Sequence, residues 1–191
     1  ALLDHGIRIA GAHTDSPCLK IKPNPEIRQQ GYLQLGVEVY GGALFTPWFD
    51  RDLSIAGRIN YKDRKGAIGS ALLDVKDAIA VIPSLAIHLN REVNKKGLIL
   101  NAQKHLAPLV GLEGGRALTE LVSAELCIEP DRIVGLDLGL HDVVRPTVGG
   151  INDEFVFSPR LDNQASCFTA LEALLALDEA PEHTCVVALY D

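Results

Sequence analysis

Near the start of the chain lies Ile7-Arg8-Ile9-Ala10-Gly11-Ala12-His13-Thr14-Asp15-Ser16-Pro17, the stretch that decides the fold. It begins as a short apolar β-strand, continues through small residues that allow close approach to the backbone, and ends at a proline. Just before that end it carries His13 and, two positions later, Asp15. Imidazole is a good zinc ligand, and a nearby carboxylate can fix the tautomer of the ring. The stretch therefore favours a metal ligand at the end of a strand, with a solvated turn histidine as the alternative.

The C-terminal part of the chain predicts a strand, a helix and a second strand. Phe155–Phe157 is a brief apolar strand, and a helix follows Asn163 and ends near Asp178. Its apolar face consists of Ala165, Phe168, Leu171, Leu174 and Leu175. Thr184–Tyr190 is a continuous apolar run, typical of a strand in a parallel sheet. Together with the opening strand, these elements predict an α/β domain built from both ends of the chain.

The middle of the chain predicts a β-rich region. In residues 33–39 and 134–140, apolar side chains occupy every second position, as in strands with one buried and one solvated face. Residues 20–25 contain two prolines and are expected to interrupt regular structure as the chain crosses between two structural units. This pattern predicts an antiparallel sheet after the crossing.

Helices are expected to be few in this middle region. Residues 116–126 carry an apolar stripe at helical spacing. Ser84 is expected to cap a short helix that carries His88, and residues 78–82 resemble a buried strand. Residues 90–115 are polar and interrupted by Gly and Pro, so we predict a loop there.

We divide the chain into three segments. Residues 1–24 and 151–191 are predicted to be two pieces of one α/β domain, and residues 25–150 an inserted β-rich domain. Gly149 and Gly150 mark the second junction. The chain contains no methionine, not even at its start, so we expect a piece of a longer protein.

The composition argues against several classes of function. The net charge is −7 and the basic residues form no cluster, so a nucleic acid is not an expected partner. No apolar run is long enough to span a bilayer, and no signal-like segment opens the chain, so we expect no membrane partner. The four widely spaced cysteines are expected to be free thiols in a reducing cytosol, which predicts a cytoplasmic location.

A second candidate ligand is Asp162, which directly precedes the predicted C-terminal helix. A carboxylate is favourable at a helix N-terminus, so a helix cap is the simpler interpretation of this residue. If the two halves of an α/β domain meet, however, His13 and Asp162 both come to the carboxyl edge of one sheet, where open sheets bind ligands. These side chains suit a hydrolytic divalent metal, but two ligands do not complete a site.

Six motifs follow one another through nearly the whole chain. They are Ala12-His13-Thr14-Asp15-Ser16-Pro17, Gly36-Val37-Glu38-Val39-Tyr40-Gly41-Gly42, Trp48-Phe49-Asp50-Arg51-Asp52-Leu53, Ile79-Ala80-Val81-Ile82-Pro83, Leu85-Ala86-Ile87-His88-Leu89-Asn90-Arg91 and Arg160-Leu161-Asp162-Asn163. In this order they resemble the M18 family of metalloaminopeptidases, the aspartyl aminopeptidases. The resemblance is weakest between residues 94 and 141.

The resemblance implies a dinuclear site with two Zn²⁺ ions per subunit. In the family, the histidine of His-Thr-Asp binds one zinc, a role that falls to His13. The aspartate two positions on, here Asp15, orients and tunes that histidine and counts as catalytic. The aspartate of Leu-Asp-Asn, here Asp162, bridges the two metals. A histidine of the family's inserted domain reaches the active site of a neighbouring subunit, so His88 becomes a candidate for substrate binding. One polar residue on a short helix is the simpler interpretation of His88.

The implied activity is removal of N-terminal residues from peptides, with a preference for Asp or Glu, through attack of a metal-activated water on the first peptide bond. The implied partners are peptides with acidic N-terminal residues and further copies of the chain, because the inserted family domain mediates dimerisation within a dodecamer. Such a preference would need a local cationic pocket, which the sequence does not identify.

One departure from the family lies at the end of the chain. In members of the family, the strand equivalent to Thr184–Tyr190 is followed by a His-Glu-Glu sequence, which supplies the general base and a metal ligand. The present sequence ends at Asp191, before such a segment. The chain alone is therefore expected to be inactive. Two alternatives remain, namely a related dinuclear zinc exopeptidase of other specificity and a catalytically silent assembly fragment.

Overall fold

Strands outnumber helices in the computed structural model, which describes residues 5–191. In chain order the elements are β1 (Ile7–His13), β2 (Cys18–Gln29), β3 (Tyr32–Tyr40), β4 (Leu53–Lys62), β5 (Ile68–Asp74), α1 (Val93–Lys96), α2 (Ala102–His105), β6 (Leu109–Leu112), α3 (Leu118–Leu126), β7 (Ile133–Asp142), β8 (Thr147–Gly149), β9 (Phe155–Phe157), α4 (Leu161–Leu175) and β10 (Thr184–Tyr190). Residues 1–4 of the first predicted segment lie outside the described residues. The mixture of sheets and helices confirms the predicted α/β class.

The first and last strands of the chain pair with each other. β1 runs parallel to β10, with Ile7 opposite Thr184 and His13 opposite Tyr190. Both strands are apolar runs, as expected for a parallel pair. α4 contacts β1 and β10, and β8 pairs with β9 in a separate antiparallel ribbon. These elements form one compact unit, which extends to Ser16 and resumes at Arg145.

The second compact unit, Pro17–Val144, is built on a six-stranded antiparallel sheet. The strand order is β5-β4-β7-β2-β3-β6. The predicted alternation is confirmed in β3 and in the second half of β7, because Leu33, Leu35, Leu138 and Leu140 are at most 1% exposed. Val134, predicted on the same face of β7, is 48% exposed, because the pairing of β7 with β4 shifts register at this point. The fully buried side chains of this unit come from the sheet, from α3 and from a few connecting residues. They include Leu19, Leu53, Ile55, Ile59, Ile82, Leu106 and Val122.

The proline-containing segment at residues 20–25 does not end regular structure, and the prediction of a break there was wrong. β2 continues through it to Gln29. Ile21 pairs with Val37 and Glu26 pairs with Leu35, so four residues of β2 lie opposite the single residue between them. Such a bulge accommodates the prolines because their missing N–H groups are not needed in the ladder there.

Two expectations for residues 84–115 were also wrong. Ser84 does not cap a helix, since the next helix begins only at Val93. Residues 86–90 form turns, in which Leu89 N–H donates to the carbonyl oxygen of Ala86 at 2.8 Å. The neighbouring leucines are exposed, so no buried stripe stabilises a helix there. The predicted loop at residues 90–115 instead contains α1, α2 and β6, because β6 pairs with β3 and Leu106 is fully buried.

The two compact units divide after Ser16 and after Val144, whereas the sequence pattern placed the junctions after residues 24 and 150. The physical reason is strand pairing. Residues from Cys18 onward pair with β3 and so join the six-stranded sheet, and β8 pairs with β9 of the other unit. Among residues 5–191, no helix combines the length and apolar character needed to cross a membrane.

We predict that Gly57→Ala destabilises the second unit. Gly57 has a φ of +152°, and a Cβ atom there would lie 2.1 Å from the carbonyl oxygen of Asp137 on the neighbouring strand. Because backbone must move to relieve this contact, the free energy of unfolding should fall by about 1–3 kcal/mol. Urea unfolding of the full-length protein, followed by circular dichroism, measures this loss.

Gly135→Ala on the partner strand β7 is the matched control. A Cβ atom there would lie 3.5 Å from the Asn60 side chain, an ordinary contact. We expect this variant to stay within about 0.5 kcal/mol of the unchanged protein. Equal unfolding midpoints for the two variants would contradict the assigned role of Gly57.

Candidate metal centre

His13 is the last residue of β1, and the chain leaves the sheet immediately after it. Thr14 fixes this exit, because both its N–H, at 2.6 Å, and its hydroxyl, at 3.0 Å, donate to the carbonyl oxygen of Tyr190 at the end of β10. The imidazole is therefore held at the carboxyl edge of the parallel pair, as the sequence predicts for ligand-binding residues of an α/β sheet.

Asp15 lies against one nitrogen of the His13 ring. The Nδ1 atom is 3.1 Å from the carboxylate oxygen Oδ1 of Asp15 and 3.1 Å from its backbone carbonyl oxygen. A carbonyl and an ionised carboxylate can only accept hydrogen bonds, so this environment favours the tautomer with its proton on Nδ1. The other nitrogen, Nε2, then keeps its lone pair and can bind a metal ion.

Asp162 lies beside that second nitrogen. Its Oδ1 atom is 3.5 Å from Nε2 of His13, longer than a usual hydrogen bond of about 2.7–3.2 Å. Two ligands of one tetrahedral zinc ion, each about 2.1 Å from the metal, are about 3.4 Å apart. The spacing therefore fits two atoms that share a metal. The Asp162 side chain is 91% exposed, which leaves its second oxygen accessible to another cation.

The start of α4 does not support the interpretation of Asp162 as a helix cap. The N-cap residue is Arg160, with a φ of +62° and no side-chain capping bond, and Asp162 has non-helical angles (φ −89°, ψ 110°). Asp162 precedes Asn163, whose buried Oδ1 atom has no hydrogen-bond partner among the described residues. The carboxylate still gains from the positive end of the helix dipole, as any acidic residue in a first turn does.

These residues are too few to make a complete metal centre. No group of three or more His, Cys, Asp or Glu side chains within residues 5–191 is arranged to hold a metal ion. Catalytic zinc sites use about three protein ligands, and His13 and Asp162 are two. The imidazole and carboxylate donors, their spacing and the carboxylate behind the ring all fit zinc, and a complete site needs further ligands.

Three side chains that the sequence analysis did not assign to the site tie the two ligand-bearing segments together. Ser16 Oγ donates to the carbonyl oxygen of Asp162 at 3.3 Å, and Gln164 Nε2 donates to that of Thr14 at 3.0 Å. Cys167 Sγ donates to the carbonyl oxygen of His13 at 3.1 Å. Gln164 and Cys167 are three residues apart on a helix and so share a face, a signal that the sequence contained.

His88 belongs to the other compact unit and is exposed in the turns that follow Ser84. The start of this segment is anchored, because Ser84 N–H donates to Oδ1 of Asp50 at 2.8 Å. Hydrogen bonds from the hydroxyl and the backbone of Ser84 lower the pKa of Asp50 below its usual value, so this carboxylate is ionised at neutral pH. The structure thus brings His13, Asp15 and Asp162 together within one unit and places His88 in the other.

Known proteins are similar to this chain over nearly its whole length. The profile of the aminopeptidase I zinc metalloproteases (M18) matches residues 3–191. A probable M18 family aminopeptidase 2 of Ectopseudomonas mendocina is 47% identical over 197 aligned residues, which cover 100% of this chain and 45% of that protein. The chain therefore spans about half the length of the curated relatives it matches.

Solved structures show the same arrangement of elements. The mApe1 structure of Chaetomium thermophilum superposes with a TM-score of 0.84 at 33% identity, over 98% of this chain and 46% of that one. The mApe1 dodecamer of S. cerevisiae gives a TM-score of 0.75 at 29% identity, over 98% of this chain and 44% of that one.

We predict that Asp15→Asn weakens zinc binding to the full-length protein by about 10–100-fold, the range found for carboxylates behind metal-binding histidines. The amide no longer stabilises the proton on Nδ1 as a carboxylate does. Competition with a chromogenic chelator measures the dissociation constant. Glu172→Gln, which removes one negative charge from an exposed position of α4, is the matched control. Equal weakening in both variants would indicate a general effect of charge.

Proposed function

This chain belongs to the M18 family of zinc metalloproteases, and from that premise we propose that the protein is a dinuclear zinc aminopeptidase that removes N-terminal residues from peptides. The observation that carries the proposal is the 3.5 Å spacing between Nε2 of His13 and Oδ1 of Asp162, with Asp15 behind the imidazole. If His13 had only a structural role in a turn, it would not need one carboxylate at Nδ1, which selects the tautomer, and a second carboxylate at Nε2.

Each of these side chains has a distinct role in the proposal. His13 would bind one ion through the lone pair of Nε2. Asp15 holds the proton on Nδ1 and thereby keeps Nε2 free. Asp162 would supply oxygen ligands from a side chain that is 91% exposed. When bound, zinc supplies a Lewis acid for the peptide carbonyl and lowers the pKa of water to about 7.

The proposal requires groups in addition to those described. His13 and Asp162 are two ligands, so at least one more ligand and a general base must come from elsewhere in the protein. The proposed preference for N-terminal Asp or Glu rests on the family resemblance. Because the chain carries a net charge of −7, such a preference requires cations close to the site.

We also propose that Pro17–Val144 mediates self-association, with His88 reaching the substrate bound to a neighbouring subunit. His88 lies among exposed apolar side chains, since Leu85 is 65%, Ile87 45% and Leu89 74% exposed. Exposed apolar clusters of this kind are typical of protein contact surfaces. The S. cerevisiae relative forms a dodecamer, which supports assembly here. A cytoplasmic location is part of the proposal, supported by the finding that no two of the four cysteines, which all lie within residues 5–191, are joined by a disulfide.

His13→Ala and Asp162→Asn in the full-length protein are expected to lower kcat/KM by at least about 100-fold, because each removes a metal ligand. Chelation of the metal should abolish activity in the unchanged protein, and added zinc should restore it. Hydrolysis of an N-terminal aspartyl peptide measures the rate, and circular dichroism checks that the fold is retained. Near-normal turnover by either variant with stoichiometric zinc would contradict the assignment.

A panel of peptides with N-terminal Asp, Glu, Leu and Lys separates the proposed specificity from that of a related dinuclear zinc exopeptidase. The aspartyl and glutamyl peptides should have the highest kcat/KM. Highest rates on the leucyl or lysyl peptide would favour the related enzyme. Absence of hydrolysis in every case, with zinc bound, would favour the catalytically silent alternative.

His88→Ala is expected to raise KM for the aspartyl peptide by about tenfold with little change in kcat, since it removes a contact to the bound substrate. His105→Ala, a second exposed histidine of the same unit, is the control and should leave both constants unchanged. An unchanged KM in His88→Ala would contradict the proposed role of His88 in substrate binding.

A further inference from the structure

We propose that Ser16, Gln164 and Cys167 are positioning residues that set the spacing of the two metal ligands. Their three hydrogen bonds, to the backbone carbonyl oxygens of Asp162, Thr14 and His13 respectively, are called the strand–helix clamp. The inference rests on the proposed function, because it assumes that His13 and Asp162 bind zinc, and it adds what holds them at the required distance.

The clamp acts on the ligands themselves. Two of its three acceptors are the backbone carbonyl oxygens of His13 and Asp162, the residues whose side chains lie 3.5 Å apart. The donors lie on both segments. Ser16, in the loop after β1, donates to the start of α4, whereas Gln164 and Cys167 on α4 donate to that loop and to β1. Displacement of either segment along or away from the other therefore stretches at least one bond.

Local structure alone does not fix this spacing. The start of α4 has a left-handed N-cap at Arg160 without a side-chain bond, and non-helical angles at Asp162 and Asn163. Regular helical hydrogen bonds thus do not determine where the Asp162 carboxylate lies. On the strand side, by contrast, Thr14 is bound to Tyr190, so the end of β1 is a fixed support. The clamp connects the irregular start of the helix to that support.

Burial distinguishes the members of the clamp. Cys167 is 7% exposed and is the buried residue of α4, so its S–H group donates in a site largely shielded from water, where a hydrogen bond is stronger. Gln164 is exposed, so replacing it leaves no internal cavity and removes little besides the bond. Together these two side chains allow the hydrogen bonds to be tested separately from packing.

The consequence is preorganisation of the metal centre. Metal ligands must be held within about 0.5 Å of their working positions, and partners beyond the ligands typically change metal affinity by about 10–100-fold. Without the clamp, zinc binding itself would have to bring the start of α4 to β1, and this ordering would oppose binding.

The test uses the full-length protein with four substitutions. Gln164→Leu removes a donor at similar volume, and Cys167→Ala removes the thiol. Cys167→Ser keeps a donor at the same position. Thr169→Val is the matched control, because Thr169 on α4 donates to Ser166 within the helix at 3.2 Å and takes no part in the clamp. The zinc dissociation constant, the visible absorption spectrum with cobalt in place of zinc, and the unfolding midpoint of the metal-free protein are measured for each.

We expect the zinc dissociation constant to rise about tenfold or more in Gln164→Leu and Cys167→Ala, with an altered cobalt spectrum. Cys167→Ser and Thr169→Val should resemble the unchanged protein. The metal-free unfolding midpoint of Gln164→Leu should equal that of Thr169→Val. Unchanged zinc affinity in both Gln164→Leu and Cys167→Ala would overturn the proposal. A loss of affinity accompanied by an equal loss of metal-free stability would also overturn it, since it indicates a purely structural role.

Failure of the clamp can be told apart from failure of the proposed function. If His13→Ala binds zinc as tightly as the unchanged protein, the metal centre itself is misassigned and both proposals fall. If His13→Ala loses zinc while Gln164→Leu and Cys167→Ala retain it, the metal centre stands and the clamp alone is refuted.

Discussion

The parallel pairing of β1 with β10 is the interaction on which the candidate metal centre depends. It joins two segments that are far apart in the chain and places His13 opposite Tyr190 at the end of the pair. The same tyrosine accepts two hydrogen bonds from Thr14, so the loop that follows β1 leaves the sheet in a fixed direction. Asp15, Ser16 and the start of α4 are all arranged around this exit.

The chemistry of the site follows from the two nitrogens of a single imidazole. Asp15 accepts at Nδ1 and thereby assigns the lone pair to Nε2, which faces Asp162. A carboxylate at the start of a helix is electrostatically favoured in any case, so the position of Asp162 is favourable whether or not it binds a metal. The sequence alone left Asp162 between a helix cap and a metal ligand, because aspartate is a preferred residue in both positions.

Mispredictions in the middle of the chain share a physical cause. Prolines at residues 23 and 25 indicated a break, but β3 pairs with β2 before and after the bulge, so the strand continues. Ser84 indicated a helix cap, but its N–H is bound to Asp50 instead. Residues 90–115 indicated a loop, but pairing with β3 creates β6. In each case partners distant in sequence outweighed the local preference of the segment.

Apolar periodicity alone determined the strands at both ends, the alternation in β3 and in the second half of β7, and the helix that begins near Asp162. When one face of an element is buried, apolar residues recur along the sequence with the period of that element. The motifs, taken in sequence, further singled out His13, Asp15 and Asp162. Only the tertiary structure decided the 3.5 Å spacing of the His13 and Asp162 side chains and the hydrogen bonds of Ser16, Gln164 and Cys167 beside them. Those features depend on contacts between segments separated by the whole second unit, and no local pattern encodes a distance across such a separation.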